Sequence, residues 1–179
     1  MYKLIVVDYK GDFYKRDNHS ISNLCKFFKK YSSIYPFNYI DQPSRDYLIE
    51  YLKNIKNTPI KKYDNIILHF ISHGFELGIA NKIADSNNFG DLKTLITWHD
   101  LIDLFNVVSL DCSSLFINLG SVCNSNHLFN TNINRCFDVL VINGYASNIF
   151  EPMKLNKSLL INREDNYNLD KKYTLTRKE

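Results

Sequence analysis

Glycine and proline are scarce in this chain, at six and four among 179 residues. That scarcity excludes a collagen-like or low-complexity sequence. The few glycines form neither a GxGxxG fingerprint nor a P-loop, so a phosphate cradle has little support. The four cysteines, at 25, 112, 123 and 136, include no Cys-x-x-Cys, and no histidine pair stands beside one. No metal and no cofactor is therefore expected. Long apolar runs are missing too. Leu4-Ile5-Val6-Val7 gives way to Asp8, which is too short for a signal peptide, and no run is long enough to span a bilayer. Strong charge is also absent: the net is +3, and the lysine pairs at 29–30, 61–62 and 171–172 are scattered. Nucleic acid and membrane are thus not expected partners. Together these absences predict a cytoplasmic, reduced protein with free thiols.

What is present suits one domain over 1–179, with a core at about 3–150 and a weaker C-terminal extension at 151–179. Hydrophobic residues make up 45% and charged residues 23%, the balance of a globular protein. Asn, Ile, Lys and Tyr are abundant, a compositional bias and not a functional signal. Strands are predicted at 4–7, 37–40, 65–71, 114–119 and 139–142, with an edge strand at 159–161. Ile21, Leu24, Cys25, Phe27, Phe28 and Tyr31 follow helical spacing. Pro43-Ser44 opens a second helix carrying Leu48, Tyr51, Leu52 and Ile55 on one face, and Thr97-Trp98-His99-Asp100 caps a third through Leu101, Ile102, Leu104 and Phe105. Leu77–Ala80 and Leu92–Ile96 pair as a small hairpin around loop 84–91, and Thr176–Glu179 is expected to fray. The alternation of strands and helices predicts an α/β fold, a mostly parallel central sheet with helices on both faces.

In such a sheet, sites form outside the carboxyl ends of the strands. Two apolar runs end there in chemistry-bearing residues. Ile66–Ile71 leads into Ser72-His73-Gly74, and Leu115–Leu119 leads into Gly120-Ser121-Val122-Cys123-Asn124-Ser125. Adjacent parallel strands lie about 4.8 Å apart, close enough for their end loops to bring an imidazole to a thiol. A free thiol has a pKa of about 8.5 and needs such a base to become a nucleophile. Taken singly, Cys123 reads as a small buried hydrophobe and His73-Gly74 as an ordinary strand end. Their order and placement together favour a catalytic pair. His69 reads as core, Trp98 as a packing anchor, His99 as a helix-start residue and His127 as a surface residue.

These motifs resemble the caspase-like superfamily of cysteine peptidases, which includes caspases, metacaspases and the bacterial CHAT proteases. The likeness covers about residues 3–150. The His-to-Cys separation of fifty residues is close to the roughly 50 seen in caspases, and Phe75–Ile79 resembles the family's small hairpin. The chain departs from the family in lacking Gln-Ala-Cys-Arg-Gly. Ser121 stands where metacaspases often place an acid, and the Cys-x-Ser pattern is nearer that of metacaspases and CHAT proteins. Only a short segment separates Cys123 from the strand at 139–142, so a processing linker is missing. The resemblance implies a three-layer sandwich and a peptidase with His73 as general base and acid, Cys123 as nucleophile, and the N–H groups of Gly74 and Cys123 as the oxyanion hole. It implies a protein or peptide substrate bordered by Arg16, Glu76, Ser121, Tyr145 and Ala146. It further implies an effector in signalling or defence, restrained until a partner, a ligand or an assembly activates it. Two other readings stand beside it: a catalytically silent caspase-like interaction module, and a nucleotide-sensing α/β domain resembling Toll/interleukin-receptor modules.

Overall fold

A computed structural model describes residues 2–10, 37–55, 65–82, 91–145, 173–176 and 178. Its frame is built from β-branched and leucine-rich runs that are buried along most of their length. Strand β1 (Tyr2–Tyr9) pairs in parallel with β2 (Phe37–Asp41) and with β3 (Asn65–Gly74). β3 pairs in parallel with β6 (Ser114–Val122), and β6 with β7 (Asp138–Ile142). The final strand, β8 (Tyr173–Thr176), runs antiparallel to β7. The main sheet has the order β2-β1-β3-β6-β7-β8. It is the expected α/β fold with a mostly parallel central sheet. Two short strands, β4 (Gly78–Ala80) and β5 (Ile96–Thr97), turn back from the end of β3 as a separate antiparallel hairpin.

Helix α1 (Arg45–Lys53) begins where its sequence says it should. Ser44 Oγ accepts from the Tyr47 N–H at 3.2 Å, satisfying one amide of the first turn. Helix α2 (Trp98–Ser109) is capped in the same way by Thr97, whose Oγ1 accepts from the Asp100 N–H at 3.1 Å. Both helices pack on one face of the sheet. That face contributes Ile5, Val7, Tyr9, Leu68, Phe70, Ile117, Leu119 and Val141, and the helices add Leu48, Leu52, Leu101, Phe105 and Val108. Phe105 meets Phe70 and Phe137 edge-on at centroid distances of 5.5 and 5.4 Å, which locks the helix to the sheet centre. The opposite face is buried as well, through Val6, Ile67, His69, Ile71, Asn118 and Ile142. The helix expected over 21–31 and the edge strand expected at 159–161 lie outside the described residues.

The differences from expectation have physical causes. β3 runs three residues further than predicted because its end pairs a second time, with His73 opposite Ala80 and Gly74 opposite Ile79. The hairpin joins β4 to the end of the predicted second arm, at Ile96 and Thr97. Fraying was expected from Thr176 onward, and no strand was expected at 173–176. Thr176 instead sits opposite Val139, and the Lys178 N–H donates to Asp138 Oδ1 at 2.8 Å. No described helix is long and apolar enough to cross a membrane.

Candidate site at the carboxyl ends of the central strands

The parallel strands β1, β3 and β6 bring their carboxyl ends to one rim of the sheet, where Tyr9, Ser72 and Val122 lie abreast. His73 and Cys123 are the next residues of the two inner strands. Their approach depends on an irregularity in β6. His69 stands opposite Asn118, but Ile71 stands opposite Ser121 and Ser72 opposite Val122. Two residues of β3 therefore face three of β6, which is a one-residue bulge. Side chains alternate between faces, so one extra residue exchanges the faces of everything after it. In a regular ladder Val122 would share the face of His69, Ile71 and His73, and Cys123 would point to the helix side. With the bulge, Val122 joins the core, and the same alternation carried one residue past the end of β6 would put Cys123 on the face of His73.

Gly74 fits against this turn with no space to spare. A methyl group on Gly74 would lie 1.7 Å from the Cys123 carbonyl oxygen and 2.8 Å from both the Cys123 carbonyl carbon and Val122 Cγ1. Gly74 is thus a packing requirement of this rim. Beyond it the chain turns tightly: the Phe75 N–H donates to the Gly78 carbonyl at 2.8 Å. Trp98 fastens that turn to α2, donating from Nε1 to the Phe75 carbonyl at 3.0 Å and from its backbone N–H to the Leu77 carbonyl at 3.0 Å. Trp98 is the packing anchor expected of it.

The Cys123 side of the rim is held by its neighbours. Asn124 adopts the left-handed conformation, with φ of 54°, and its N–H donates to the Gly144 carbonyl at 2.6 Å. Gly144, at φ 89°, makes the matching turn at the end of β7. Ser125 is fully buried. Its Oγ donates to the Leu119 carbonyl at 3.0 Å and accepts from the Ile142 N–H at 2.9 Å. The serine of the Cys-x-Ser pattern is therefore a staple between β6 and β7, made where the ladder between them has ended. A short 3₁₀ helix (Ser125–Asn130) follows.

His73 and Cys123 are each half-buried, sheltered yet reachable. The His73 ring lies 6.3 Å from the Phe75 ring, centroid to centroid. Glu76 and Tyr145 are exposed, on the hairpin turn and just after Gly144 respectively. Ser121 is buried, and its Oγ has no hydrogen-bond partner among the described residues. Arg16 and Ala146 lie outside the described residues. Cys112, Cys123 and Cys136 form no disulfide among the described residues. Among the described residues no group of three or more His, Cys, Asp or Glu could hold a metal ion.

A polar pair missed by the sequence reading lies beneath the site. His69 is core, as expected, but Asn118 Nδ2 donates to its Nδ1 at 2.7 Å, and Asn118 Oδ1 accepts from the Gly120 N–H at 2.9 Å. Burial lowers the His69 pKa to about 4, so the ring is neutral; because the Asn118 oxygen is taken by Gly120, Nδ2 faces the ring and Nδ1 accepts in the Nε2–H tautomer. The available signal was the polar Asn118 interrupting an apolar run that ends in glycine. His127 is half-buried, with its Nδ1 3.1 Å from Asn130 Nδ2, and exposed His99 lies 3.5 Å from Asp103 at the start of α2.

No protein-family model matches the chain. No curated protein matches it either. Among solved structures it is similar to the crystal structure of caspase-1 from Spodoptera frugiperda, at 14% identity over 89% of this chain and 69% of that one, with a TM-score of 0.49.

Proposed function

We propose that this chain is a caspase-like cysteine endopeptidase acting on a protein or peptide substrate. The observation that carries the reading is the bulge in β6: its shifted register, continued one residue past Val122, would set Cys123 opposite His73, beside a Gly74 that leaves no room for a side chain. His73 takes the thiol proton, and the Cys123 thiolate attacks the scissile carbonyl carbon. The C–S bond forms, and the carbonyl electrons move to oxygen. That oxyanion is met by the N–H groups of Gly74 and Cys123, each such donor being worth roughly 3 kcal/mol in the transition state. The intermediate collapses, the C–N bond breaks, and protonated His73 gives its proton to the leaving amine. His73 then takes a proton from water, the hydroxide attacks the thioester, and the thiol is regenerated with release of the acid.

Glu76 and Tyr145 stand on the two turns that flank the pair, where an extended substrate would add. Arg16 and Ala146 complete the proposed substrate contacts, whereas Ser121, expected to join them, is buried. By the same resemblance we assign it to an effector role in the cytoplasm, activated by a partner, a ligand or an assembly. The test is cleavage of peptides carrying Asp, Arg or Lys by the purified chain, alone and at high concentration. Cys123→Ala and His73→Ala should each lower kcat by about 10³-fold or more. Cleavage that survives Cys123→Ala would refute the reading. Absence of cleavage, together with Cys123 alkylation at equal rates in the His73→Ala variant, would favour a silent interaction module.

A further inference from the structure

We infer that Asn118 and His69 are positioning residues for the strand-end site: their buried pair holds the extra residue in β6 and so puts Cys123 on the face of His73. The functional meaning of this inference rests on the peptidase reading, whereas its geometric content does not. Gly120 is one of the two residues, with Leu119, that stand opposite Phe70 where the register shifts. Its N–H is buried, and a buried amide must find an acceptor. Asn118 Oδ1 supplies one at 2.9 Å from two residues away. An asparagine side chain can offer either its oxygen or its NH₂ to that amide, and only one orientation serves. His69 selects it. With the oxygen committed to Gly120, Nδ2 faces His69 Nδ1 at 2.7 Å, so the ring accepts there in its Nε2–H tautomer and holds the amide in that orientation. His69 and Asn118 are direct cross-strand partners at the last regular position before the register changes. The pair therefore stands where β6 must either continue regularly, with Gly120 opposite Ile71, or take in its extra residue.

Packing is the rival explanation, because Val122 belongs to the core only in the bulged register. One double variant separates the two. His69→Leu with Asn118→Val replaces both polar partners with apolar groups, which leaves neither one unmatched. If the pair sets the bulge, backbone proton contacts across β3 and β6 in this variant shift by one residue, bringing Ile71 opposite Gly120. An unchanged pairing of Ile71 with Ser121 would overturn the inference and credit packing instead. His69→Gln, which keeps an acceptor for Asn118, should retain the original register.

Two further readouts accompany these. In the unaltered chain the Gly120 amide should exchange with solvent at least ~10²-fold more slowly than in unfolded chain; an unprotected amide overturns the inference whether or not the double variant folds. Alkylation of Cys123 by iodoacetamide at neutral pH should slow about tenfold on His73→Ala in the unaltered chain, and less than about twofold in the double-variant background. If His73→Ala has no effect even in the unaltered chain, the peptidase reading fails, while strand register still decides the role of Asn118 and His69.

Discussion

Replacing Gly74 with alanine tests the packing of the site without touching its chemistry. The added methyl group would stand 1.7 Å from the Cys123 carbonyl oxygen, with the carbonyl carbon and Val122 Cγ1 at 2.8 Å. Ordinary contact needs roughly 3.5 Å, so β3 and the Cys123 turn must part by nearly 2 Å. The nearest atoms are backbone and cannot rotate away. Overpacking typically costs about 1–3 kcal/mol, and a backbone clash belongs at the upper end, near ~3 kcal/mol. For a chain of this size each kcal/mol lowers Tm by about 2–4 °C, so a fall of roughly 6–12 °C is expected. Thermal unfolding followed by circular dichroism reads this directly. The same displacement moves Cys123 from His73, so peptidase activity should fall with stability and should not recover on cooling. A Gly74→Ala protein within ~0.5 kcal/mol of the unaltered chain would refute the reasoning, because the rim would then have slack that the contact distances deny.

Gly144 offers a contrast: its φ is 89° and nothing lies within 4 Å of an added methyl, so Gly144→Ala should cost only backbone strain, about 1 kcal/mol by urea titration. Ser125→Ala strips the Leu119 carbonyl and the Ile142 N–H of a buried partner. A loss of about 1–3 kcal/mol is expected in the same titration, and no loss would mean that the staple is redundant. His69 gives the fold a pH dependence. Its folded pKa, about 4, lies below the unfolded value of about 6.5, so the unfolded chain binds the proton first. The associated stability is whole above the unfolded pKa and is lost as pH falls toward the folded one, by about 2 kcal/mol between about pH 8 and 5. The His69→Leu/Asn118→Val protein should show a pH profile flatter by that amount. Thiol labelling should also be ordered. Burial and then Asp111 push the Cys112 thiol up to about 11, while Cys136 is exposed, so Cys136 should react with iodoacetamide well before Cys112.

The parallel frame was legible because the apolar runs at 4–7, 65–71, 114–119 and 139–142 are buried on both faces and read as continuous rather than alternating. The caps at Ser44 and Thr97 were legible from local chemistry, and both serve as expected. The bulge was not. A strand interrupted by Asn118 and Gly120 reads as one that ends, and only the pairing with β3 shows that it continues. β8 stayed hidden for a related reason. Tyr173–Thr176 alternates weakly beside a charged tail, and its strand character comes from β7 and not from its own sequence. The pairing of His73 with Cys123 was inferred from order and placement. The device beneath them, His69 with Asn118, is tertiary and left only a polar residue in an apolar run.

The pairing of β3 with β6 also has a kinetic consequence. Ser72 meets Val122 across a loop of about fifty residues, in a parallel arrangement that no local turn can nucleate. Contacts of this kind close late, after the entropy of the intervening chain has been overcome. A nascent chain that has not yet made β6 has an imidazole and no thiol beside it, and one that has made both still lacks their alignment until the central ladder forms. Any opening between the two strands separates the pair again. On the proposed reading, nucleophilic competence is a property of the completed sheet centre, so a misfolded or partly unfolded copy is disarmed by the same topology that arms the native one.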